Sequence, residues 1–284
     1  MTLLTTKEIN MKIGIFCTPD DIDFIRDAKT AGADFLEVPL ASFESMSDEA
    51  VLNFKKTLDE IGIGIFSFNV MLPGNRLRVV EEVASDEEIT KYLNKVLSLT
   101  DLFGAKYIIF GSGGARKRHK DEDISISRRK ITHYIKDLAL PMVKAHGRSV
   151  LVEALNENED NTVYTVKEAL GYVDSIDDAS LGAIIDFYHT SVMNENTEIY
   201  AGDKRIRHTH ISGPGMPRSM PTEENGSKEF YESAARVIAK TSHVDTLTVE
   251  INVSMWGDEG TRTGNLASSI AFLKNLIDSE KYEN

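Results

Sequence analysis

Eight short apolar runs alternate with longer amphipathic stretches along this chain. Each run has the length of one buried β-strand, and in order they read KIGIFC, DFLEV, IGIFSFNV, AKYIIF, SVLVE, LGAIID, RHTHIS and TLTVE. The apolar spacing between them predicts helices, which we place at residues 20–31, 47–61, 86–103, 125–146, 165–176, 228–239 and 265–279. The glycines at positions 32, 62, 104 and 147 follow predicted helix ends, where glycine is favoured because the backbone there adopts positive φ.

Strands that alternate with helices along a whole sequence indicate one parallel sheet. Eight such units fit a (β/α)8 barrel better than an open sheet. No segment rich in Pro, Gly or Ser divides the sequence into parts. We therefore predict the α/β class, with a single (β/α)8 TIM barrel domain over residues 1–284 in which residues 1–10 form a short N-terminal leader.

Composition narrows the classes of function. The formal net charge of −13 argues against nucleic-acid binding, because phosphate contacts need a concentration of Lys and Arg. No apolar stretch approaches the ~20 residues that cross a bilayer, and the N-terminus lacks the pattern of a secretory signal. The single cysteine, Cys17, excludes an internal disulfide and fits a reducing compartment. We expect a cytoplasmic protein without a membrane or nucleic-acid partner.

Each of the last four apolar runs has, at or near its end, a residue that can ligate a metal ion. These residues are Glu153, Asp186, His210 and Glu250. In a barrel of parallel strands, functional groups gather at the C-terminal strand ends. Taken singly, Asp186 could cap a helix, and His210 could be a buried polar residue whose hydrogen bonds are all made. Their equivalent placement on four consecutive strands instead favours one metal site formed by all four residues. Three carboxylates and one imidazole suit one divalent cation, for which we expect Mn²⁺, with Mg²⁺, Co²⁺ and Zn²⁺ as alternatives.

Further polar residues follow these strands. His189 comes three residues after Asp186, one helical turn away if a helix begins there. Arg218 lies in a loop rich in Gly and Pro, which suits an ordered excursion over the barrel mouth, although alone it would be interpreted as a solvated loop residue. Glu37 lies near the end of the second run and is predicted to point at the mouth and to contact substrate. The basic run at 116–120 could meet an anionic group, but such runs more commonly lie in solvated loops.

With these residues the chain resembles the xylose isomerase-like TIM barrels, particularly the sugar epimerases that include the tagatose and psicose 3-epimerases. The similarity extends from the first strand to the eighth. Its motifs are Glu153-Ala-Leu-Asn156 with Glu159 and Asn161, Asp186-x-x-His189, His208-x-His210, Arg218-x-x-Pro221, Glu250 with Trp256, and Gly111-Ser-Gly-Gly-x-Arg116. Two departures, Ala154 for the usual Pro and Glu157 where Arg often follows the Asn, leave the identity of the sugar open.

The resemblance implies a metal-dependent sugar isomerase or epimerase whose metal is held by the four strand-end residues. It implies that Glu153 and Glu250 also form the proton-transfer pair, and that His189, Arg218 and Glu159 contact substrate oxygens. A divalent cation would stabilise an enediolate, while two carboxylates on opposite faces of the sugar remove and return the proton.

So that Glu153 and Glu250 can reach opposite faces of the sugar, we expect strands five and eight to lie across the barrel from one another. The expected partner is a small sugar or sugar phosphate, and the chain could assemble into a homodimer or homotetramer.

Several alternatives remain at this point. A lyase of the inosose dehydratase type and an aldose–ketose isomerase would use the same types of ligand, so the sequence cannot separate them from an epimerase. A DNA-repair nuclease of this fold would need further His ligands after strands three and four, where the sequence offers Asn69 and no ligand. A non-catalytic sugar-binding barrel would be expected to lack one of the two glutamates, and both are present.

Overall fold

A computed structural model describes residues 11–81 and 84–282 of the chain, so the predicted leader at residues 1–10 lies outside the described residues. Within them, eight parallel strands pair in sequence order and close into a barrel, the last strand pairing with the first. The strands are β1 (Lys12–Phe16), β2 (Phe35–Pro39), β3 (Ile65–Asn69), β4 (Tyr107–Phe110), β5 (Ser149–Val152), β6 (Leu181–Asp186), β7 (Ile206–Ile211) and β8 (Thr246–Val249). The predicted TIM barrel is confirmed, with every strand at its expected place.

Helices follow the strands along the same residues. They are α1 (Ile22–Thr30), α2 (Asp48–Ile61), α3 (Asp86–Thr100), α4 (Gly113–Arg116), α5 (Ile124–His133), α6 (Leu140–Ala145), α7 (Val166–Ile176), α8 (Phe187–Val192), α9 (Lys228–Lys240) and α10 (Arg262–Tyr282). Each predicted helix is present, and the glycines at 32, 62, 104 and 147 all have positive φ. Among the described helices, none has both the length and the apolar character that a bilayer span requires.

The helix predicted at 125–146 is interrupted. A π-helical segment, Tyr134–Ala139, lies between α5 and α6, and the N–H of Leu140 bonds to the carbonyl of Ile135, five residues back. Pro141 follows at the start of α6. Because proline lacks the N–H that would continue the α-helical ladder and its ring crowds the preceding turn, the wider turn before it is a local accommodation. Apolar periodicity alone does not reveal this change of pitch.

The interior of the barrel is filled by side chains. Tyr107, Ile109, Leu151 and Ile184 form a buried cluster with Phe66 packed against it. Side chains alternate across a strand, so residues of the other parity face the helices. The barrel interior is therefore packed with side chains, and the candidate ligands lie toward the C-terminal strand ends.

Candidate metal centre

The four predicted ligands share the inward-facing parity of their strands. Ile184 belongs to the interior cluster, and Asp186 follows it by two residues, at the end of β6. Glu153, His210 and Glu250 have corresponding positions just after β5, within β7 and just after β8. Since side chains two residues apart face the same side of a strand, all four point into the mouth of the barrel.

The structure brings one atom from each of these side chains within 4.8 Å of the other three. Nδ1 of His210 is at the centre of the group. It lies 3.2 Å from Oε1 of Glu153, 3.4 Å from Oε2 of Glu250 and 4.0 Å from Oδ2 of Asp186. The side chain of Glu250 is 18% exposed, whereas the other three are buried. The cluster thus opens toward solvent on the side of Glu250.

The two glutamates come from strands that are not directly opposite each other. In the closed order, β5 and β8 are three places apart, and the strand opposite β5 is β1. The expectation that strands five and eight lie across the barrel is therefore wrong by one strand. Glu153 and Glu250 still reach His210 from separate strands, at 3.2 and 3.4 Å.

The two carboxylate oxygens of Asp186 have different contacts. Its Oδ1 accepts hydrogen bonds from the backbone N–H groups of Tyr188 and His189, which caps α8. Its Oδ2 faces the cluster and accepts from Nη2 of Arg218 at 3.2 Å. The cap and the candidate ligand, which the sequence presents as competing interpretations, use different oxygens of one carboxylate. The cap fixes the side-chain orientation that presents the second oxygen to the cluster.

Arg218 forms the outer edge of the cluster. Its Nη1 donates to Oε2 of Glu250 at 2.9 Å and to the Glu250 carbonyl at 3.0 Å. Its Nη2 lies 2.8 Å from Nε2 of His189, and its guanidinium stacks over the ring of Tyr188 at 4.2 Å. The loop residue is therefore a structured part of the site and not a solvated cation.

A pocket of about 370 Å³ opens beside the cluster. Its lining includes Arg218, Glu250 and Glu159 together with Phe16, Tyr188, Pro217, Ile251, Asn252 and Met255. His189, also predicted to contact substrate, is buried, and its Nδ1 accepts from the backbone N–H of Asn156 at 3.1 Å. Arg218 and Glu159 are thus at the pocket surface, and His189 packs beside them.

Glu37 is placed differently from its predicted position at the mouth. Its carboxylate has no exposed surface and lies on the far side of His210, where Oε1 is 3.0 Å from the imidazole Nε2. A direct substrate contact by Glu37 therefore has no support in this geometry. Burial alone would lower the pKa of His210, but attraction by the Glu37 and Glu250 carboxylates outweighs burial and raises that pKa well above its ordinary value.

Asn69 is a site residue that the sequence did not single out as functional. It ends β3, and its Nδ2 donates to Oε1 of Glu250 at 2.8 Å. Arg218 holds the other carboxylate oxygen, so both oxygens of Glu250 are engaged. The pattern that indicates the four candidate ligands, a polar residue at a strand end, also applies to Asn69.

The basic run at 116–120 contains one fully buried residue. Arg116 pairs with Asp160 at 2.8 Å, both side chains being 0% exposed, and its Nη1 donates to the carbonyls of Phe110 and Glu153 at 2.8 Å each. The interpretation of this run as solvated is wrong for Arg116. The residue braces the backbone that carries Glu153, because it joins the ends of β4 and β5.

The three clustered carboxyl groups differ in their ease of ionisation. Burial raises the pKa of Glu153 above its ordinary value despite the nearby imidazole of His210. Burial opposes ionisation of Asp186 and Glu250 as well, but attraction by Arg218 and His210 outweighs it, so the pKa of each is lowered. The contact with Arg218 thus distinguishes Glu250 from Glu153.

The cluster fits a divalent cation. Three carboxylates gathered around one imidazole and one guanidinium leave an excess of buried negative charge, which is costly unless it is compensated. Oxygen-rich donor sets with one imidazole suit hard and borderline divalent ions. Metal–oxygen bonds of about 2.1 Å allow ligand atoms to lie up to about 4.2 Å apart, and Nδ1 of His210 is 3.2–4.0 Å from the three carboxylate oxygens.

Comparison with known proteins agrees with this architecture. The family model described as xylose isomerase-like TIM barrel matches residues 25–276. A D-psicose 3-epimerase solved in the presence of D-fructose has a TM-score of 0.79 at 14% identity, covering 94% of this chain and 99% of that chain. A D-psicose 3-epimerase with D-tagatose from Clostridium cellulolyticum H10 has a TM-score of 0.78 at 15% identity, with coverage of 94% and 99%.

A 3-keto-D-glucoside 4-epimerase from E. coli has a TM-score of 0.74 at 19% identity, covering 93% of this chain and 99% of that chain. At these identities the likeness establishes the shared fold alone. Comparison with curated proteins gave no match.

Proposed function

The chain belongs to the xylose isomerase-like TIM barrel family, and we propose that within it the protein is a metal-dependent sugar epimerase. The observation that carries this proposal is the group of three carboxylates and one imidazole within 4.8 Å at the barrel mouth, beside a pocket of about 370 Å³. The folds of two D-psicose 3-epimerases and of a 3-keto-D-glucoside 4-epimerase are consistent with it.

In this proposal Glu153, Asp186, His210 and Glu250 hold one divalent cation, with Mn²⁺ as the first choice and Mg²⁺, Co²⁺ or Zn²⁺ as alternatives. When bound, the ion supplies Lewis acidity, which makes the proton α to a ketose carbonyl easier to remove. The proton itself is transferred by side chains of the protein and not by the ion.

Glu153 and Glu250 are the proposed acid–base pair. One carboxylate removes the proton from one face of the sugar, and the other delivers a proton to the opposite face, which inverts the carbon. Their environments differ: burial raises the pKa of Glu153, whereas for Glu250 attraction by Arg218 and His210 outweighs burial and lowers the pKa. Asn69 and Arg218 each hold one oxygen of Glu250, so its carboxylate is kept in a fixed orientation toward the pocket.

We propose a free sugar as the substrate rather than a sugar phosphate. Among the described residues that line the pocket, Arg218 supplies the positive charge and Glu159 and Glu250 supply negative charge. Arg218 is already paired with Asp186 and Glu250, so a dianionic phosphate would have to compete with these carboxylates. Neutral hydroxyl groups would instead accept from Arg218 and donate to Glu159.

The test uses protein stripped with a chelator and reloaded with Mn²⁺. A panel of D-psicose, D-fructose, D-tagatose and L-ribulose, each also supplied as a phosphate ester, is incubated in D₂O and the products are identified by chromatography and NMR. Epimerisation is expected for a free ketose, with deuterium at the inverted carbon. An aldose product would indicate an aldose–ketose isomerase, and loss of water from an inosose added to the panel would indicate a dehydratase. No turnover of any of these compounds would overturn the proposal.

A further inference from the structure

His210 is held from both sides by carboxylates. Its Nδ1 faces Glu153, Glu250 and Asp186, whereas its Nε2 lies 3.0 Å from Oε1 and 3.2 Å from Oε2 of Glu37. Oε2 of Glu37 thus has hydrogen-bond geometry toward the nitrogen that points away from the cluster, and Oε1 is in ion-pair contact with the same nitrogen. A neutral imidazole carries one proton, and the hydrogen bond made by one nitrogen determines what the other nitrogen can do.

Glu37 is itself fixed in place. Its Oε2 accepts from Oγ of Ser67 at 2.5 Å and lies 3.4 Å from Oγ1 of Thr248. Nε2 of His208 is 3.3 Å from the same oxygen. These contacts come from β3, β7 and β8 and enclose a carboxylate with 0% exposure. The Glu37 carboxylate therefore has little freedom to turn away from His210.

The same three residues, Glu37, His208 and His210, could be considered a second metal site, since their ligand atoms also lie within 4.8 Å of one another. The contacts of His208 argue against that. Its Nδ1 is 2.8 Å from Oγ1 of Thr246 and its Nε2 is 2.9 Å from Oγ1 of Thr248. Both ring nitrogens are thus engaged by hydroxyl groups inside the barrel. The cluster is therefore a hydrogen-bond network in which Oε2 of Glu37 lies against Nε2 of His210.

We propose that Glu37 is a positioning residue for the metal centre: it accepts the Nε2–H of His210 and so leaves Nδ1 free to bind the cation. This inference rests on the proposed metal site and extends it to a residue outside the ligand set. Carboxylates that hold the distal N–H of a metal-bound histidine fix its tautomer and ring orientation and increase its basicity, and losing them typically costs ~10–100-fold in metal affinity. Glu37 therefore has a role without any contact to substrate.

The experiment compares Mn²⁺ affinity of stripped wild-type protein, Glu37→Gln, Ser67→Ala and Glu168→Gln by calorimetry, without any sugar. Glu37→Gln keeps the size of the side chain and removes its charge. We expect it to bind Mn²⁺ about 10–100-fold more weakly. Ser67→Ala leaves the carboxylate but removes one of its donors, so a smaller loss in the same direction is expected. Glu168→Gln is the matched control, because Glu168 belongs to the capping box of α7, and its affinity should equal that of wild type.

A second measurement identifies the tautomer. In Mg²⁺-loaded protein labelled with ¹⁵N-histidine, the seven histidines can be assigned by single substitution, and His210 should carry its proton on Nε2. Glu37→Gln should shift or broaden that signal, whereas Glu168→Gln should not. At saturating Mn²⁺, Glu37→Gln should leave the Michaelis constant for sugar unchanged.

Wild-type affinity and an unchanged His210 signal in Glu37→Gln would overturn the inference while leaving the sugar chemistry intact. If Glu37→Gln does not fold, Ser67→Ala serves as the test. Unchanged Mn²⁺ affinity and an unchanged His210 signal in Ser67→Ala would then overturn the inference. Wild-type protein that binds no Mn²⁺ would overturn the metal centre, and the role of Glu37 with it. Tight Mn²⁺ binding without sugar turnover would count against the proposed epimerase alone.

Discussion

Gly111 lies directly against the carboxylate of Glu153, so closely that a Cβ at position 111 would be 1.7 Å from Oε2 of Glu153. The glycine follows β4, and Glu153 follows β5, the neighbouring strand. Position 111 must therefore lack a side chain if Glu153 is to keep its orientation in the cluster. Gly111 thus allows a close approach of the backbone to the Glu153 carboxylate.

Gly111→Ala is expected to displace the Glu153 carboxylate while the barrel still folds. Displacement of a reacting group by about 1 Å can cost ~10²-fold in rate, so we expect turnover to fall by ~10–100-fold and Mn²⁺ binding to weaken. Gly171→Ala is the control, because a Cβ there meets nothing within 4 Å and Gly171 lies within α7. Steady-state kinetics, calorimetry and circular dichroism measure the three quantities. Full activity in Gly111→Ala would contradict the proposed role of Glu153.

Glu153→Gln and Glu250→Gln test the acid–base pair. Each change keeps an oxygen that can ligate a metal and removes the titrating group. We expect turnover to fall by ~10² or more in each variant, with part of the metal content retained. Product formed by wild-type protein in D₂O should carry deuterium at the inverted carbon, as measured by NMR or mass spectrometry. If both Gln variants stay active, or if the product lacks solvent deuterium, the two-base assignment is wrong.

Arg218→Ala tests the division between metal and substrate contacts. Arg218 lines the pocket and also pairs with Asp186 and Glu250. We expect a higher Michaelis constant or a lower turnover, with metal content near that of wild type. Arg218→Lys should restore little, because a single ammonium cannot reproduce the paired contacts of a guanidinium. Metal analysis that shows the ion lost from Arg218→Ala would instead place Arg218 among the groups that maintain the metal centre.

The thermal stabilisation by Mn²⁺ should increase with pH. In stripped protein the pKa of His210 is raised well above its ordinary value. The protonated form of His210 therefore stabilises the folded protein. This contribution is complete below about pH 6.5, the pKa of histidine in the unfolded chain. It is lost as the pH rises through the raised pKa of His210 in the folded protein. Metal binding needs the deprotonated nitrogen and releases the proton, so affinity rises over the same window.

Melting temperatures with and without Mn²⁺ at pH 6, 7 and 8 measure this linkage, with Mn²⁺ affinity by calorimetry as the direct check. The difference between the two melting temperatures should widen as pH increases. A difference that stays constant or narrows would show that His210 does not exchange a proton for the metal.

Arg116→Met should destabilise the protein strongly. It leaves Asp160 as an unpaired buried carboxylate and removes the donor to the Glu153 carbonyl. Breaking a buried ion pair by removing one partner costs about 3–5 kcal/mol. Lys56→Met is the control, because the Lys56–Glu60 pair is 3.9 Å long and its side chains are 77% and 60% exposed. Urea unfolding of both variants provides the comparison, and equal stabilities would contradict a structural role for Arg116.

The sequence by itself determined the barrel and the candidate ligands. Apolar runs of strand length separated by amphipathic helices specify parallel strands, because only that arrangement buries both faces of each run. The sequence indicates the four candidate ligands because strand ends in such a barrel converge on one face, whatever the details of packing. This convergence predicts that Glu153, Asp186, His210 and Glu250 lie together, as they do in the structure.

Only the tertiary structure decided which residues distant in sequence contact one another. Arg116 belongs to a basic run that resembles a solvated surface, and its pairing with Asp160 becomes visible only when the loops after β4 and β5 meet. Glu37 lies in the middle of β2, two residues before that strand ends, and its environment is set by Ser67, His208 and His210, which come from other strands. Local patterns identify which face of a strand a side chain occupies, whereas the partner it meets there depends on how the closed barrel brings the strands together.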